Sequence, residues 1–514
     1  MPQRPCAQAS VARELLSSSP QVLSAKRVAH GRRCLSSKPM QNETPKVSVS
    51  VADAMIVCDN SRGVEIQGTL LRLARHEVSF EIYSASEIVQ MSEVMANFRI
   101  LVRERTVYSG RAVVTHLVNA GPVVICQANL QDSWLEMDVL NLAKEPASLP
   151  SAFTDLIHGW QSVYKIPSDY KVVIADIQSF LFELRHWVEE VELGLSGANG
   201  GRAEAERRAF DELVRPVTPC LNALFERFEI ACRNISPELQ STHGIYAKRQ
   251  LHPLLLCSPF MHRIYRKPLG YAGDYEMVNM ILRDPHEGSS LFAKVLNSWF
   301  LSQVPAAAHR NRVTTLTQRL MEETARTRNL NRPARFYNLG CGPAQEVRAF
   351  MEQSPLSDHA EFTLLDFNEE TLAYTRTSLD DARRRHHRAT RIQLVRKSVA
   401  QVIKAGLRNV TADYDVVYCA GLFDYLPDRV CQQLLNMFYA MLAPGGLLLA
   451  TNVDPSNPIR NIMGYIFEWC LIERTGPQFS SLIPEGASKD DCKVTAESTG
   501  CNVFLEVRKP MPAL

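Results

Sequence analysis

The chain has 514 residues, of which 57 are lysine or arginine and 55 are aspartate or glutamate, so its formal net charge is +2. This near-balance excludes a dominant field that would steer the chain onto nucleic acid or an anionic membrane. The 13 cysteines contain no C-x-x-C pair, which argues against a zinc ribbon or a disulfide framework. With no run of about 18 apolar residues, we expect a cytoplasmic protein of about two to four domains without a membrane span.

Residues 1–45 are basic and rich in serine, with seven lysines or arginines and two glutamates. This composition is typical of a mitochondrial transit peptide. The simpler alternatives are a disordered tail, or an upstream start codon with Met40 as the natural start of translation. We expect a disordered basic tail. No apolar core follows the basic residues, which argues against a secretory signal.

Residues 46–140 predict a small antiparallel β-barrel. Short runs of β-branched and apolar residues, separated by turn residues such as Ser109-Gly110, read as strands at regular spacing. The runs are Val47–Val51, Gly63–Leu71, Val78–Tyr83, Phe98–Val102, Arg111–Val118 and Val123–Cys126.

Residues 145–329 predict a helical linker or cap region. Apolar residues at three-to-four spacing form one stripe between Ile174 and Leu195, which includes Trp187, and a second stripe between Phe210 and Phe228. Pro216 and Pro219 predict a break or kink in the second helix. This region could cap a pocket or form a homodimer surface.

Residues 330–514 alternate short strands with helical periods, which predicts a mostly parallel sheet with helices on both faces, an α/β Rossmann-like domain. The predicted strands are Ala334–Leu339, Glu361–Asp366, Ile392–Val395, Tyr414–Cys419, Gly446–Asn452 and Val503–Val507.

The segment Asn338-Leu-Gly-Cys-Gly-Pro-Ala344 follows the first of these strands and opens a helix. Gly340 and Gly342 allow the backbone to turn tightly and to approach a ligand closely. Asp366 ends the next strand, where an acid accepts hydrogen bonds from ribose hydroxyls in doubly wound sheets, and Phe367 can cover an adenine face. The sequence therefore predicts a nucleoside-binding crevice. The simpler alternative is two strand-end turns with a capping aspartate.

Four separated blocks resemble, in order and spacing, the motifs of class I S-adenosylmethionine-dependent methyltransferases. They are Tyr337–Gly342, Leu364–Asn368, Tyr414–Pro427 and Leu442–Leu449. The resemblance implies that S-adenosylmethionine is the cofactor, with Gly340, Cys341 and Gly342 at its methionine part and Asp366 at the ribose. It also implies that Ala420, Gly421 and Leu422 flank the sulfonium and the substrate.

The chain departs from that family pattern at two positions. Asn338 stands where the first motif usually has an acid, and its amide oxygen could still orient the ligand's amino group. Ser398 stands where an adenine-binding aspartate often occurs, and its hydroxyl could hydrogen-bond adenine.

Two further stretches, Tyr265–Glu276 and Phe467–Thr475, are similar to a bacterial methyltransferase group labelled for biosynthesis of a 3-hydroxypalmitic acid methyl ester signal. On physical grounds the loop around Gly270 and Gly273, with Tyr271 and Asp274, could close over a pocket as a lid. The alternative is a turn in which Asp274 caps the helix that follows.

The barrel loosely resembles PilZ domains, which bind cyclic di-GMP. Asp59–Gly63 is one position short of one PilZ signature and Arg72–Arg75 departs from the other by one residue. We expect a degenerate, non-binding barrel that serves in docking or positioning.

The leading hypothesis is methyl transfer to a small acyl or carboxylic acid substrate, such as a hydroxy fatty acid, giving a methyl ester signal. A carboxylate acceptor needs no general base; if the acceptor is a hydroxyl or an amine, Asp424, Tyr425 and Asp274 are the candidate bases. The alternative is a cyclic-dinucleotide-responsive signalling protein with a pseudo-methyltransferase half. No metal site is expected, because His252, Cys257 and His262 lack ligand spacing, and no basic stripe suggests nucleic acid.

Overall fold

The computed structural model describes residues 54–74, 76–82, 88–102, 105–119, 123–131, 154, 165–195, 201–406 and 412–511. The predicted basic tail and the predicted strand Val47–Val51 lie outside these residues. Within the described ranges, no helix combines the length and the apolarity needed to span a bilayer.

Six antiparallel strands close into the predicted barrel, in the order β1-β2-β3-β6-β5-β4. They are β1 Ala54–Asp59, β2 Glu65–Ala74, β3 Glu77–Ile82, β4 Val94–Val102, β5 Arg105–Asn119 and β6 Val124–Leu130. Alternate side chains fill the interior, where the ring of Phe98 meets those of Phe80 and Tyr108 edge to face.

The barrel departs from the sequence expectation at two places. Strand β1 was not among the predicted runs. The turn expected at Ser109-Gly110 is wrong, because both residues pair with β4 opposite Arg99 and Phe98 inside one long strand. Register shifts on either side of this pairing bend β5 without ending it.

Seven helices follow in the described part of the chain: α1 Ser168–Leu195, α2 Arg202–Cys232, α3 Pro237–Leu255, α4 Pro259–Arg266, α5 Tyr275–Leu282, α6 Leu291–Leu301 and α7 Val304–Arg328. They share one apolar core with the segment Ile459–Phe467 of the C-terminal domain. The helical region therefore packs directly onto that domain.

Two details of these helices differ from the expectation. Trp187 of the first stripe is 55% exposed on α1. Helix α2 continues through Pro216 and Pro219, so the predicted break is wrong, whereas a kink there stays a prediction. The buried side chains of Leu213, Val217 and Leu221 flank the prolines, and their packing offsets the lost backbone hydrogen bonds.

The C-terminal domain is built on a seven-stranded mixed sheet in the order β12-β13-β11-β10-β7-β8-β9. Its strands are β7 Ala334–Leu339, β8 Ala360–Asp366, β9 Arg391–Arg396, β10 Tyr414–Cys419, β11 Leu442–Val453, β12 Cys492–Ala496 and β13 Asn502–Arg508. The first five pair in parallel, and β13 runs antiparallel to both neighbours. Strand β12 was not predicted.

Helices cover both faces of this sheet. They are α8 Gln345–Gln353, α9 Glu369–Arg385, α10 Val399–Ala405, α11 Asp428–Met441 and the short α12 Gly476–Ser480. Alternate residues of each strand enter two separate cores, so that Phe336 packs with α7, α8 and α9 whereas Tyr337 packs with α10 and α11. The reversal of strand order between β7 and β10 leaves a crevice at the carboxyl ends of these strands.

Candidate active site

The turn after β7 is tied to the next strand by backbone hydrogen bonds. The amides of Gly340 and Cys341 donate to the carbonyl of Leu365 at 2.8 and 2.9 Å. Gly340 and Gly342 have φ values of +73° and +51°. A Cβ atom at Gly342 would meet no protein atom within 4 Å. Gly342 therefore presents bare backbone to open space, as close approach of a ligand requires.

Asp366, at the end of β8, lies directly opposite this turn. One carboxylate oxygen accepts from the amide of Gly342 at 3.1 Å, and the other accepts from the amide of Asn368 at 3.0 Å. Burial raises the pKa of the Asp366 carboxyl. The structure thus brings the glycine turn and the acid into contact.

A cavity opens beside this contact, at the carboxyl ends of β7, β8 and β10. Twelve of the fourteen candidate cofactor-binding and catalytic residues line it: Tyr271, Asn338, Gly340, Cys341, Gly342, Asp366, Phe367, Ala420, Gly421, Leu422, Asp424 and Tyr425. Two others, Ser398 and Asp274, do not belong to the lining.

Ser398 caps helix α10 instead. Its hydroxyl accepts from the amide of Gln401 at 3.2 Å, and the Gln401 side chain accepts from the Ser398 amide at 2.9 Å. This reciprocal pair is a capping box. The neighbouring residues Lys397 and Val399 line the cavity, so a hydrogen bond from Ser398 to adenine stays a prediction.

Asp274 caps helix α5. Its carboxylate accepts from the amide of Met277 at 2.9 Å and from Nε of Arg263 at 2.9 Å. The structure therefore shows the capping arrangement that the sequence left open for this residue. Of the same loop, Tyr271 and Gly273 do line the cavity, and the Tyr271 ring lies 5.1 Å from that of Phe367.

Asn338 belongs to a buried polar cluster whose central acid, Glu346, was not predicted. The Asn338 amide nitrogen donates to Glu346 at 3.2 Å, and the Tyr418 hydroxyl donates to the same oxygen at 2.8 Å. The Asn338 Oδ1 atom is buried without a hydrogen-bond partner among the described residues. An unpaired buried acceptor is costly, and an amino group such as that of S-adenosylmethionine would satisfy it.

Asp424 and Tyr425 follow β10; Asp424 is buried and Tyr425 is half-buried. The Asp424 carboxylate accepts from the amide of Val453 at 2.7 Å, and the Tyr425 hydroxyl accepts from Nε1 of Trp469 at 2.8 Å. Burial raises the pKa of Asp424 to about 6, although the charge of Arg312 opposes the shift. Burial also raises the pKa of Tyr425.

The raised pKa of Asp424 predicts a pH-dependent stability. Because its folded value of about 6 exceeds the ordinary 3.8, the folded chain holds this proton more tightly than the unfolded chain. This contribution is complete below about pH 4 and is lost as the pH rises through about 6. Relative to Asp424→Asn, the wild type should therefore lose up to about 3 kcal/mol of unfolding free energy across this window. Denaturant titrations of both proteins from pH 4 to 8 measure it, and parallel curves would contradict it.

Part of the cavity lining is apolar and comes from elements that carry no recognisable motif. Its side chains include Phe260 of α4, Ile281 of α5, Phe300 of α6, Ala306 of α7, and Ile459 and Met463 of the segment after β11. Each is buried in the core of the helical region. The helical region therefore closes the cavity, and a ligand lying beside the glycine turn would extend into an apolar chamber.

The barrel also reaches this cavity. Gln90 lines it, and the amide of Met91 donates to the carbonyl of Tyr425 at 3.2 Å. The Val94 amide donates to the carbonyl of Gly270 at 2.7 Å. The Ser92 hydroxyl accepts from the amide of Cys470 at 2.6 Å. One barrel loop is thus bonded to three segments that surround the cavity.

The side chains of Asn60 and Ser61, in the segment that the sequence analysis compares with PilZ domains, make contacts within the chain. The Asn60 side chain accepts from the amides of Arg62 and Val64, both at 3.0 Å. The hydroxyl of Ser61 donates to the buried carboxylate of Glu93 at 2.6 Å. Cyclic di-GMP binding, and the expected lack of it, both stay untested predictions.

Comparison with known proteins bears on residues 337–448, which match the family model described as "Methyltransferase domain". A search of curated protein sequences finds no match. The matched range runs from β7 to β11, and it contains the glycine turn, Asp366 and the residues after β10.

Solved structures give weaker likenesses. A possible exported protein from Bordetella parapertussis is 17% identical over 61% of this chain and 100% of its own, with a TM-score of 0.39. Magnesium protoporphyrin IX methyltransferase from Synechocystis PCC 6803 with bound SAH is 12% identical over 40% of this chain and 87% of its own, at 0.29. N-methyltransferase NodS from Bradyrhizobium japonicum WM9 is 16% identical over 46% of this chain and 98% of its own, with a TM-score of 0.27.

With TM-scores below 0.5, these likenesses establish neither a shared substrate nor a shared domain arrangement. The matched range contains the glycine turn, the acid of β8 and Asn338 with its unpaired oxygen. Residues 337–448, in the C-terminal domain, therefore match a methyltransferase domain.

Proposed function

We propose that this chain transfers a methyl group from S-adenosylmethionine to a small acyl or carboxylic acid substrate, giving a methyl ester. The observation that carries the proposal is one cavity whose lining combines polar groups at Asp366 and Gly342 with apolar side chains of the helical region. A hydroxy fatty acid is the substrate class that combines an acid group with an apolar chain of this kind.

Each lining residue near the glycine turn would have a distinct role in binding the cofactor. Gly340 and Gly342 would let the backbone pass close to the methionine part, and the Asp366 carboxylate would accept from ribose hydroxyls. The rings of Phe367 and Tyr271 would flank adenine. The Asn338 oxygen would accept from the amino group.

When bound, S-adenosylmethionine supplies a methyl carbon on a positively charged sulfur, and attack by a carboxylate oxygen forms the ester as the carbon–sulfur bond breaks. The backbone of Gly421 and Leu422 would hold the reacting atoms in line, and such positioning contributes on the order of 10 kcal/mol. The apolar chamber would exclude water from the reaction. Because a carboxylate is already ionised at neutral pH, no residue of the chain needs to remove a proton.

The absence of an essential base gives a prediction for the two polar residues after β10. Asp424→Asn and Tyr425→Phe should each lower turnover by less than about tenfold, because they disturb local hydrogen bonds and not a proton transfer. Steady-state kinetics with saturating S-adenosylmethionine measure this. A loss of roughly 100-fold or more at unchanged cofactor affinity would assign the residue as a base and disfavour a carboxylate acceptor.

The barrel would act as a positioning module, since its loop bonds to Tyr425, Gly270 and Cys470. In this arrangement the loop fixes the segment after β10 and the segment that carries Tyr271. It would thereby keep the cavity in a shape that receives the cofactor.

Labelled methyl transfer tests the proposed function directly. The purified full chain is incubated with methyl-labelled S-adenosylmethionine and a series of saturated and 3-hydroxy fatty acids, with Gly342→Asp as the inactive control. We expect label in a product that mild base hydrolyses, as an ester requires. Label found only in a base-stable product would contradict ester formation. If no product carries label, fatty acids are excluded as the substrate class.

A further inference from the structure

Arg312 of α7 is a buried cation in the wall of the cavity. Arg312 is 9% exposed, and it lines the cavity. The guanidinium lies so close to Gly421 that a Cβ atom there would be 3.0 Å from Nη2 and 3.1 Å from Nη1. Arg312 therefore sits beside the backbone proposed to hold the reacting atoms.

The Arg312 side chain has few hydrogen-bond partners in the described part of the chain. Its Nη2 bonds to Nδ1 of His309 at 2.8 Å. Burial and the charges of Arg312 and Arg310 lower the pKa of His309 well below its ordinary value, so the neutral ring accepts this bond. Among the described residues, no carboxylate lies within 4.0 Å of Arg312. A guanidinium carries five N–H donors.

Another buried arginine shows what a satisfied guanidinium looks like in the same domain. Arg474 is 3% exposed and donates to the Asp428 carboxylate, to Asn452 and to the carbonyls of Phe423 and Leu426. Arg312 is also buried, at 9% exposed, but it has no comparable set of acceptors among the described residues. Burial without a paired anion is expensive for a cation.

We infer that Arg312 is the anchor for a ligand carboxylate inside the cavity, with His309 holding the guanidinium in place. The planar fork of guanidinium donors matches a carboxylate and binds it with two parallel hydrogen bonds. Burial lowers the pKa of Arg312, and the charges of Asp424 and Glu346 oppose this shift. This inference rests on the proposed function, which brings two carboxylates to this place.

The carboxylate has two sources, which share one chemistry. One is the aminoacyl end of the cofactor, whose amino group would meet Asn338. The other is the acid group of the acceptor, which must reach the methyl carbon near Gly421. In the second case one oxygen would be held by Arg312 while the other attacks, which would make Arg312 a residue that selects acids over alcohols and amides.

Calorimetry on the full chain separates these sources through pairs of probes. S-adenosylhomocysteine carries the aminoacyl carboxylate, and 5′-methylthioadenosine lacks it. Decanoate and decanol, titrated into protein saturated with S-adenosylhomocysteine, differ only in the acid group. The variants are Arg312→Met and Arg312→Lys, and Arg328→Met at the exposed end of the same helix is the matched control.

If the cofactor is the source of the carboxylate, Arg312→Met should weaken the binding of S-adenosylhomocysteine by roughly 10- to 100-fold and leave the binding of 5′-methylthioadenosine unchanged. If the acceptor is the source, the same variant should erase the preference for decanoate over decanol and leave both nucleosides unchanged. Arg312→Lys should restore part of either effect. The two quantities compared are the affinity ratio of S-adenosylhomocysteine to 5′-methylthioadenosine and the affinity ratio of decanoate to decanol. A merely structural defect would lower all four affinities together and leave both ratios unchanged.

The inference is overturned if Arg312→Met changes neither ratio. A wild-type chain that fails to bind S-adenosylhomocysteine contradicts the proposed function itself. The two failures are thus distinguishable, because the second occurs before any variant is compared.

Discussion

Gly342→Asp is expected to abolish cofactor binding while leaving the fold intact. The new side chain would start from a Cβ that meets no protein atom within 4 Å, and it would project into the space proposed for the methionine part. Its carboxylate would also lie next to that of Asp366, which bonds to the same residue's amide at 3.1 Å. Steric exclusion and repulsion together should weaken S-adenosylmethionine binding by roughly 100-fold or more.

Gly486→Asp is the matched control for this variant. Gly486 also has a positive φ, +83°, and open space around its Cβ position, but it does not line the cavity. Both variants carry the same backbone strain of about 1–2 kcal/mol. Calorimetry should show binding lost only in Gly342→Asp, and equal binding in both variants would remove the glycine turn from the site.

Asp366→Ala should have the second-largest effect. The carboxylate fixes the Gly342 and Asn368 amides and is the group proposed to bind ribose. Its removal should weaken the binding of S-adenosylhomocysteine by roughly 10- to 100-fold, because both a charged hydrogen-bond acceptor and the shape of the turn are lost. Calorimetry measures the affinity.

The control for Asp366→Ala is Asp358→Ala, which removes another carboxylate that accepts from a backbone amide, that of Ala389 at 2.6 Å. It does not line the cavity and should leave affinity unchanged. A ribose role makes a further demand: the affinity gap between S-adenosylhomocysteine and an analogue without ribose hydroxyls should narrow in Asp366→Ala. An unchanged gap would assign Asp366 to shaping the turn alone.

The parts of the fold that the sequence predicted are those in which local pattern and burial agree. The central strands β7, β8, β10 and β11 are apolar runs buried on both faces, so they were recognisable. Strand β12 was missed because Cys492–Ala496 lies at the sheet edge with half-exposed residues, which leaves no clear alternation. Ser109-Gly110 carries turn residues, yet pairing with β4 outweighs that preference.

The candidate site divides in the same way. The glycine turn, Asp366 and the residues after β10 are carried by motifs at strand ends, and the sheet topology brings them together. Glu346, Arg312 and the apolar chamber carry no local signal, because their meaning arises only when α4 to α7 and the segment after β11 pack onto the sheet. Helix capping by Asp274 was one of the two alternatives that the sequence left open, and the structure shows it. The capping role of Ser398 was not predicted.

The structure of the full chain with S-adenosylhomocysteine tests the central claim most directly. We expect the ribose hydroxyls within hydrogen-bonding distance of the Asp366 carboxylate and the homocysteine part against the backbone of Gly340 and Gly342. A complex in which the nucleoside binds elsewhere, or in which Asp366 and the ribose face apart, would contradict the account.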